Sequence, residues 1–190
     1  MPLLRTAFVS PSDSPDPGTA PSATAAVLFP LAPMLSQVSL EPSCSAFAVT
    51  LPWSQLTTLT AYATISEAIH ILHQSTALKT CTLGIYHFDP APALGEVSTL
   101  PIRSLSLLWE EGNPDSSVQN LVNALTLPLL DNLVVSEFLL GSDPVAALSR
   151  LRPQGHPRQM EIMDARFSLY TYKASFPWAK LSVTPFHKYY

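Results

Sequence analysis

The sequence predicts an α/β repeat solenoid, with a short curved parallel sheet on one face and helices and irregular turns on the other. Three observations predict it. One spacing of apolar residues, three then two, recurs five times along the chain. Helix-period segments with their own start signals lie between copies. Nineteen prolines against six glycines favour many short elements with sharp stops over long helices.

The spacing is clearest in "LPWSQLTTLTAY", residues 51–62, through Leu56, Leu59 and Ala61. A helix would continue at three or four, and a strand would keep to two. Three then two marks a turn feeding a short strand. The first apolar residue turns inward on the approach, and the last two share one face of the strand. The other copies are Leu35, Val38, Leu40; Leu78, Cys81, Leu83; Ile102, Leu105, Leu107; and Leu130, Leu133, Val135. Their starts lie 21, 22, 24 and 28 residues apart, inside the period of about 20–29 residues of leucine-rich repeats. The architecture so predicted is a leucine-rich-repeat solenoid with irregular repeats.

Parallel strands need crossovers, and helical patterns supply them. Ile65, Ala68, Ile69 and Leu72 fall at i, i+3, i+4 and i+7, and so do Val118, Leu121, Val122 and Leu125. Each run opens with a capping box, Thr64 with Glu67 and Ser116 with Gln119, and Pro128 stops the second. A third helix should start at "SDPVAALSRL", with Ser142 or Asp143 as N-cap and Pro144 at the first helical position. The segment "EPSCSAFAVTLP" between the first two strands is too short and proline-rich for a helix, so a turn or extended stretch is expected.

Three regions follow. Residues 1–26 read as a disordered proline- and serine-rich N-terminus. Residues 27–151 hold the array of about five repeats. Residues 152–190 form a basic, aromatic tail, read as a cap on the last repeat or as partly disordered. Within the tail, Met160, Met163 and Ala165 make a poor sixth copy. The charge also divides here. Residues 1–149 carry 3 basic and 12 acidic side chains, and residues 150–190 carry 7 basic and 2 acidic.

Cys44 and Cys81 are too few for a disulfide scaffold and sit in no CxxC, so both read as buried free thiols in a reducing compartment. No apolar run approaches the roughly 18 residues of a membrane span, and the N-terminus lacks a signal-peptide pattern. The expected location is intracellular, cytoplasmic or nuclear, with no membrane contact. No phosphate loop, GxSxG, HExxH or paired CxxC occurs. No catalytic residue, cofactor or metal is therefore expected. His70 and His73, with His87 downstream, come nearest to a metal set, but a site needs more ligands. His70, Glu67 and Gln74 read instead as the solvated face of the first helix.

Residues alternating with the inward ones should face outward: Gln37, Ser39 and Glu41; Thr58, Thr60 and Tyr62; Thr80, Thr82 and Gly84; Ser104, Ser106 and Leu108; Asn132, Val134 and Ser136. Small hydroxyl groups dominate. Larger groups gather along one margin: Tyr62, Tyr86, Trp109, Glu110, Glu111 and Phe138. These six are the candidate protein-contact residues, since tyrosine and tryptophan are enriched in interface hot spots. Trp53 precedes its strand and should pack in the core.

The stretches "APMLSQVSLEPSCSAFAVTLPWSQLTTLTAY", "ILHQSTALKTCTLGIY", "LPIRSLSLLWE" and "LTLPLLDNLVVSEF" resemble the leucine-rich-repeat region of fungal F-box proteins. The resemblance covers about residues 27–150. It implies that the repeats hold a protein to be ubiquitinated, while an N-terminal F-box grips a Skp-type adaptor. No segment before residue 30 reads as an F-box, which leaves contact with such an adaptor in doubt, and no ligase activity is carried over. The repeats also lack the asparagine or cysteine expected three residues past the third apolar position, where Ser43, Thr64, Tyr86, Glu110 and Phe138 stand. The function expected is a non-catalytic protein-binding scaffold. The alternatives are nucleic-acid binding through the basic aromatic tail, or a degenerate fragment with no independent role.

Overall fold

The structure is a computed structural model, and it describes residues 4–10, 32–42, 49–86, 99–111, 125–140, 143–150, 157–165, 173 and 179–185. Eight strands form a single open sheet: β1 (Thr6–Val9), β2 (Gln37–Leu40), β3 (Thr58–Ala63), β4 (Thr80–Tyr86), β5 (Ser104–Glu111), β6 (Asn132–Ser136), β7 (Gln159–Ala165) and β8 (Lys180–Pro185). Their order in the sheet is their order in the chain, and every pair is parallel. An α/β chain with one open parallel sheet and few helices is thus established, and its sequential order is compatible with a solenoid.

The register bears out the three-then-two reading. Val38, Leu59, Cys81, Leu105 and Leu133 are aligned across successive strands, and so are Leu40, Ala61, Leu83, Leu107 and Val135 at the next inward position, with Ala61, Leu83 and Leu107 paired directly. Leu35, Leu56, Leu78, Ile102 and Leu130, the first member of each copy, are all buried. All fifteen belong to one hydrophobic cluster.

The sheet is wider than five repeats. Ala7 pairs with Val38, so residues 6–9 add a strand inside the segment expected to be disordered. Positions 1–3 and 11–26 of that segment lie outside the described residues. At the other end Met160 pairs with Leu133 and Ile162 with Val135, making β7 the next strand, and Leu181 pairs with Met160 in β8. Two stretches of the tail are therefore sheet. The inward pair of β7 is Met160 and Ile162, not Met160 with Met163 and Ala165. Met163 directly follows an inward residue, and period two sends it to the opposite face.

Helix α1 (Ile65–Gln74) forms where predicted, and its capping box is present. Thr64 Oγ1 accepts from the Glu67 N–H at 3.3 Å, and Glu67 Oε2 accepts from the Thr64 N–H at 3.0 Å. Ile65, Ala68, Ile71 and Leu72 are buried, while Ile69 is half-buried. Glu67, expected on the solvated face, is buried as well. Its carboxylate has to fold back over the first turn to reach Thr64, and that turn lies against the sheet. Thr64→Ala removes the cap acceptor and should lower the unfolding free energy by about 1 kcal/mol, measurable as a shift of the urea midpoint at unchanged slope.

Helix α2 (Pro144–Arg150) also starts as predicted, and Asp143 is its cap: Asp143 Oδ1 accepts from the Ala146 N–H at 2.9 Å. The helix predicted at 116–125 falls outside the described residues except for Leu125, which is buried in non-helical chain. The segment predicted as turn or extended is described only at its two ends, Glu41 with Pro42 and residues 49–52, where Val49 and Leu51 are buried, and a 3-10 turn follows at Trp53–Gln55. Trp53 is in the core as expected. Both helices and this turn pack on the side of the sheet that carries the inward residues.

The starts of the strands are tied together by backbone hydrogen bonds of a repeated form. The carbonyl of Arg5 accepts from the N–H groups of both Ser36 and Gln37, at 3.0 and 3.1 Å. Ser36, Thr57, Lys79 and Arg103 repeat the arrangement toward the next strand, each carbonyl accepting two N–H groups. Asp131 accepts from Gln159 at 3.0 Å and Arg158 from Lys180 at 2.9 Å. A second kind of anchor adds to these ties: Gln55 Nε2 donates to the carbonyls of Ala32 and Leu35, at 2.8 and 3.1 Å.

Candidate functional site

The face of the sheet opposite the helices is built from the alternate positions of each strand. Two columns run across it. One holds Thr6, Gln37, Thr58, Thr80, Ser104, Asn132 and Gln159 in register, ending at Lys180. Most of its side chains are neutral and polar, as expected. The other runs from Phe8 through Ser39, Thr60, Thr82, Ser106 and Val134 to Glu161 and Ser182. Phe8, near the middle of β1, is 65% exposed. A large aromatic ring so placed is an apolar contact point on an otherwise hydrophilic surface.

Over β6–β8 this face is hollow. Asn132, Val134, Gln159, Glu161, Lys180 and Ser182 line a cavity of about 250 Å³. The side nearer the strand starts presents amide and ammonium donors. Across from them Glu161 Oε1 accepts a hydrogen bond from Thr184 Oγ1 at 3.1 Å, which fixes the one acidic wall. Such a hollow can seat a polar side chain of a bound protein, with donors for its acceptor atoms.

The six predicted contact residues all fall toward the C-terminal ends of β3–β6 or just beyond. Tyr62 and Tyr86 are half-exposed, and Tyr62 stands opposite Gly84. Trp109 is aligned with Ile85, and Tyr86 with Glu111. Between these pairs the register shifts, so Glu110 is the bulged residue of β5. Phe138 lies in the 3-10 turn Glu137–Leu140 that follows β6. These positions lie along one edge of the sheet, but Trp109 shares the inward register column of Ala63 and Ile85 rather than the outward one, and Gly84 and Ser136, also expected to face outward, are buried.

Cys81 is a buried free thiol, as predicted, and burial pushes it up to about 12; Cys44 lies outside the described residues. A thiol held so firmly protonated is no nucleophile. His70 shares a hydrogen bond with Gln74 at 3.0 Å, His73 is exposed, and His87 lies outside the described residues. Among the described residues no three His, Cys, Asp or Glu side chains are placed to share a metal. No helix among them is long and apolar enough to cross a membrane.

Comparison of the chain with protein-family models, curated proteins and solved structures finds no match.

One feature escapes a reading by chain segment. Residues 1–149 have three basic side chains, Arg5, Lys79 and Arg103, and each directly precedes the first residue of its strand. The signal lies in the alignment of the copies: "LRTA", "LKTC" and "IRSL" superimpose.

Proposed function

We propose that the chain is a non-catalytic protein-binding repeat scaffold of the leucine-rich-repeat type, the kind of region with which F-box substrate receptors hold the protein to be ubiquitinated. One observation carries the reading. Eight parallel strands in sequential order present a continuous, mostly neutral polar face with the helices on the other side. Among the described residues no helix packs on this face, which leaves room for a partner, and small hydroxyl and amide groups offer hydrogen bonds to a peptide backbone with little side-chain entropy to lose.

The test is a set of substitutions on different sides of one protein. Immobilised wild-type chain is used to capture binders, and each captured band is compared across variants. Thr82→Arg with Ser106→Arg places two bulky cations at the centre of the polar face. Tyr62→Ala with Tyr86→Ala truncates the half-exposed part of the margin. His73→Arg alters the exposed side of α1. The expected result is a band lost with the face variant, weakened by the margin variant and retained with His73→Arg. A band retained by both sheet variants would overturn the reading. Unchanged thermal melts show that each variant still folds.

A further inference from the structure

The basic residues that precede the strands form a row. Arg5, Lys79, Arg103 and Arg158 occupy the same step on β1, β4, β5 and β7, and all are exposed. Lys180 sits one step further along on β8. The row is held by the backbone, since each of these four residues gives its carbonyl to the N–H groups of the next strand. Its register therefore does not depend on side-chain contacts.

Ser36 and Thr57 stand at this step on β2 and β3, and Asp131 interrupts the row on β6. Its carboxylate lies 3.6 Å from Arg103 and 3.7 Å from Arg158, with the two arginine side chains 63% and 87% exposed. Ion pairs this open contribute little to stability. They do place one carboxylate between two largely exposed guanidinium groups. Lys79, Arg103, Arg158 and Lys180 against Asp131 leave a strip of positive charge over β4–β8, with Arg5 apart on β1, on a chain whose net charge is -4.

We propose that this row binds an extended acidic peptide segment of a partner protein, lying across the strand starts with one carboxylate in the hollow of β6–β8. The proposal deepens the scaffold reading, on which it rests, by naming the partner's chemistry. Three observations favour a peptide. Strands stand about 4.8 Å apart, so the starts of β5 and β7 are about 10 Å apart, close to the rise of about 9 Å for three residues of an extended polyproline-type chain. Acidic side chains at every third residue would meet Arg103 and Arg158 together. The adjacent column, from Thr6 through Thr80 to Gln159, offers amides and hydroxyls for peptide groups and holds no aromatic ring for base stacking. The hollow opens beside Arg158, with Asn132, Gln159 and Lys180 as donors on that side.

The experiment is fluorescence anisotropy of the full chain with a labelled oligo-glutamate peptide, with oligo-lysine and oligodeoxythymidylate as comparison probes. Oligo-glutamate should bind, more weakly as salt rises, and oligo-lysine should not. Arg103→Glu with Arg158→Glu should weaken binding by about tenfold or more, and Asp131→Asn should tighten it about threefold. The arginines are exposed, so these variants should melt as the wild type does. Absence of oligo-glutamate binding at low salt, indifference to the charge reversal, or tighter binding of oligodeoxythymidylate would each overturn the proposal. Such a result leaves the scaffold reading to its own test, because the face and margin variants do not touch the row.

Discussion

Leu59→Ala should lower the unfolding free energy by about 2–5 kcal/mol, and Thr60→Ala, one residue away, should change it by less than about 0.5 kcal/mol. The contrast follows from period two. Leu59 is fully buried between Val38 and Cys81, in a column whose every member is apolar, and truncation leaves a void that those neighbours cannot fill. Thr60 occupies the alternate position between Ser39 and Thr82 and is half-exposed, so little packing is lost with its side chain. Urea denaturation followed by circular dichroism measures both. Equal effects at the two positions would mean that β3 does not present these faces, because a shift of one residue exchanges them.

Stability should also fall as pH rises through the window from about 9 to about 12, with Cys81 as a principal cause. In the folded chain burial holds the thiol protonated up to about 12, while in the unfolded chain it ionises from about 9. Above the lower value the unfolded state binds fewer protons, so ∂ΔG/∂pH is negative. The stabilisation is fully present below pH 9 and is lost as pH climbs toward the folded value. Three pH units correspond to at most about 4 kcal/mol. Cys81→Ala removes the group, so the stability of that variant should depend less on pH over the same window. Lysine and tyrosine titration affects both proteins and cancels in the difference. A thiol-reactive dye should leave native Cys81 unmodified at pH 8 and label it in urea. Parallel pH slopes for the two proteins would contradict the assignment of a deeply buried thiol.

The middle of the sheet was legible because its requirement is simple. An inward residue on the approach and two on the strand must be apolar, and in β2–β6 leucine, isoleucine, valine, cysteine or alanine fills every such place. The outer strands meet the same requirement only in part or with less telling residues. In β1 Ala7 and Val9 are buried while Leu4, at the approach position, is 46% exposed, and in β7 the triplet is Pro157, Met160 and Ile162, with Pro157 buried where a leucine is usual. Around β8 Trp178, Leu181 and Val183 keep the spacing, but the lysines between and beyond them read as a basic tail. The capping boxes were legible since they are local. Glu67's burial was not, because a glutamate at that step is polar by type and inward only by the reach of its side chain. The margin at the strand ends was visible as a run of large residues beside small ones. The basic row was hidden while charge was summed along the chain, since its members stand far apart in sequence and meet only when the copies are laid side by side.

The two long edges of the sheet are made differently. Along the strand starts, carbonyls that each accept two amides join β1–β6 with no slip in register, and single bonds continue to β8. Toward the other side the pairing shifts between Ile85 and Tyr86 and again between Ile162 and Ala165. Such an irregularity bends a strand locally, so the bends of this sheet fall at the far ends of β4–β5 and β7–β8 and leave the spacing of the cations along the strand starts untouched.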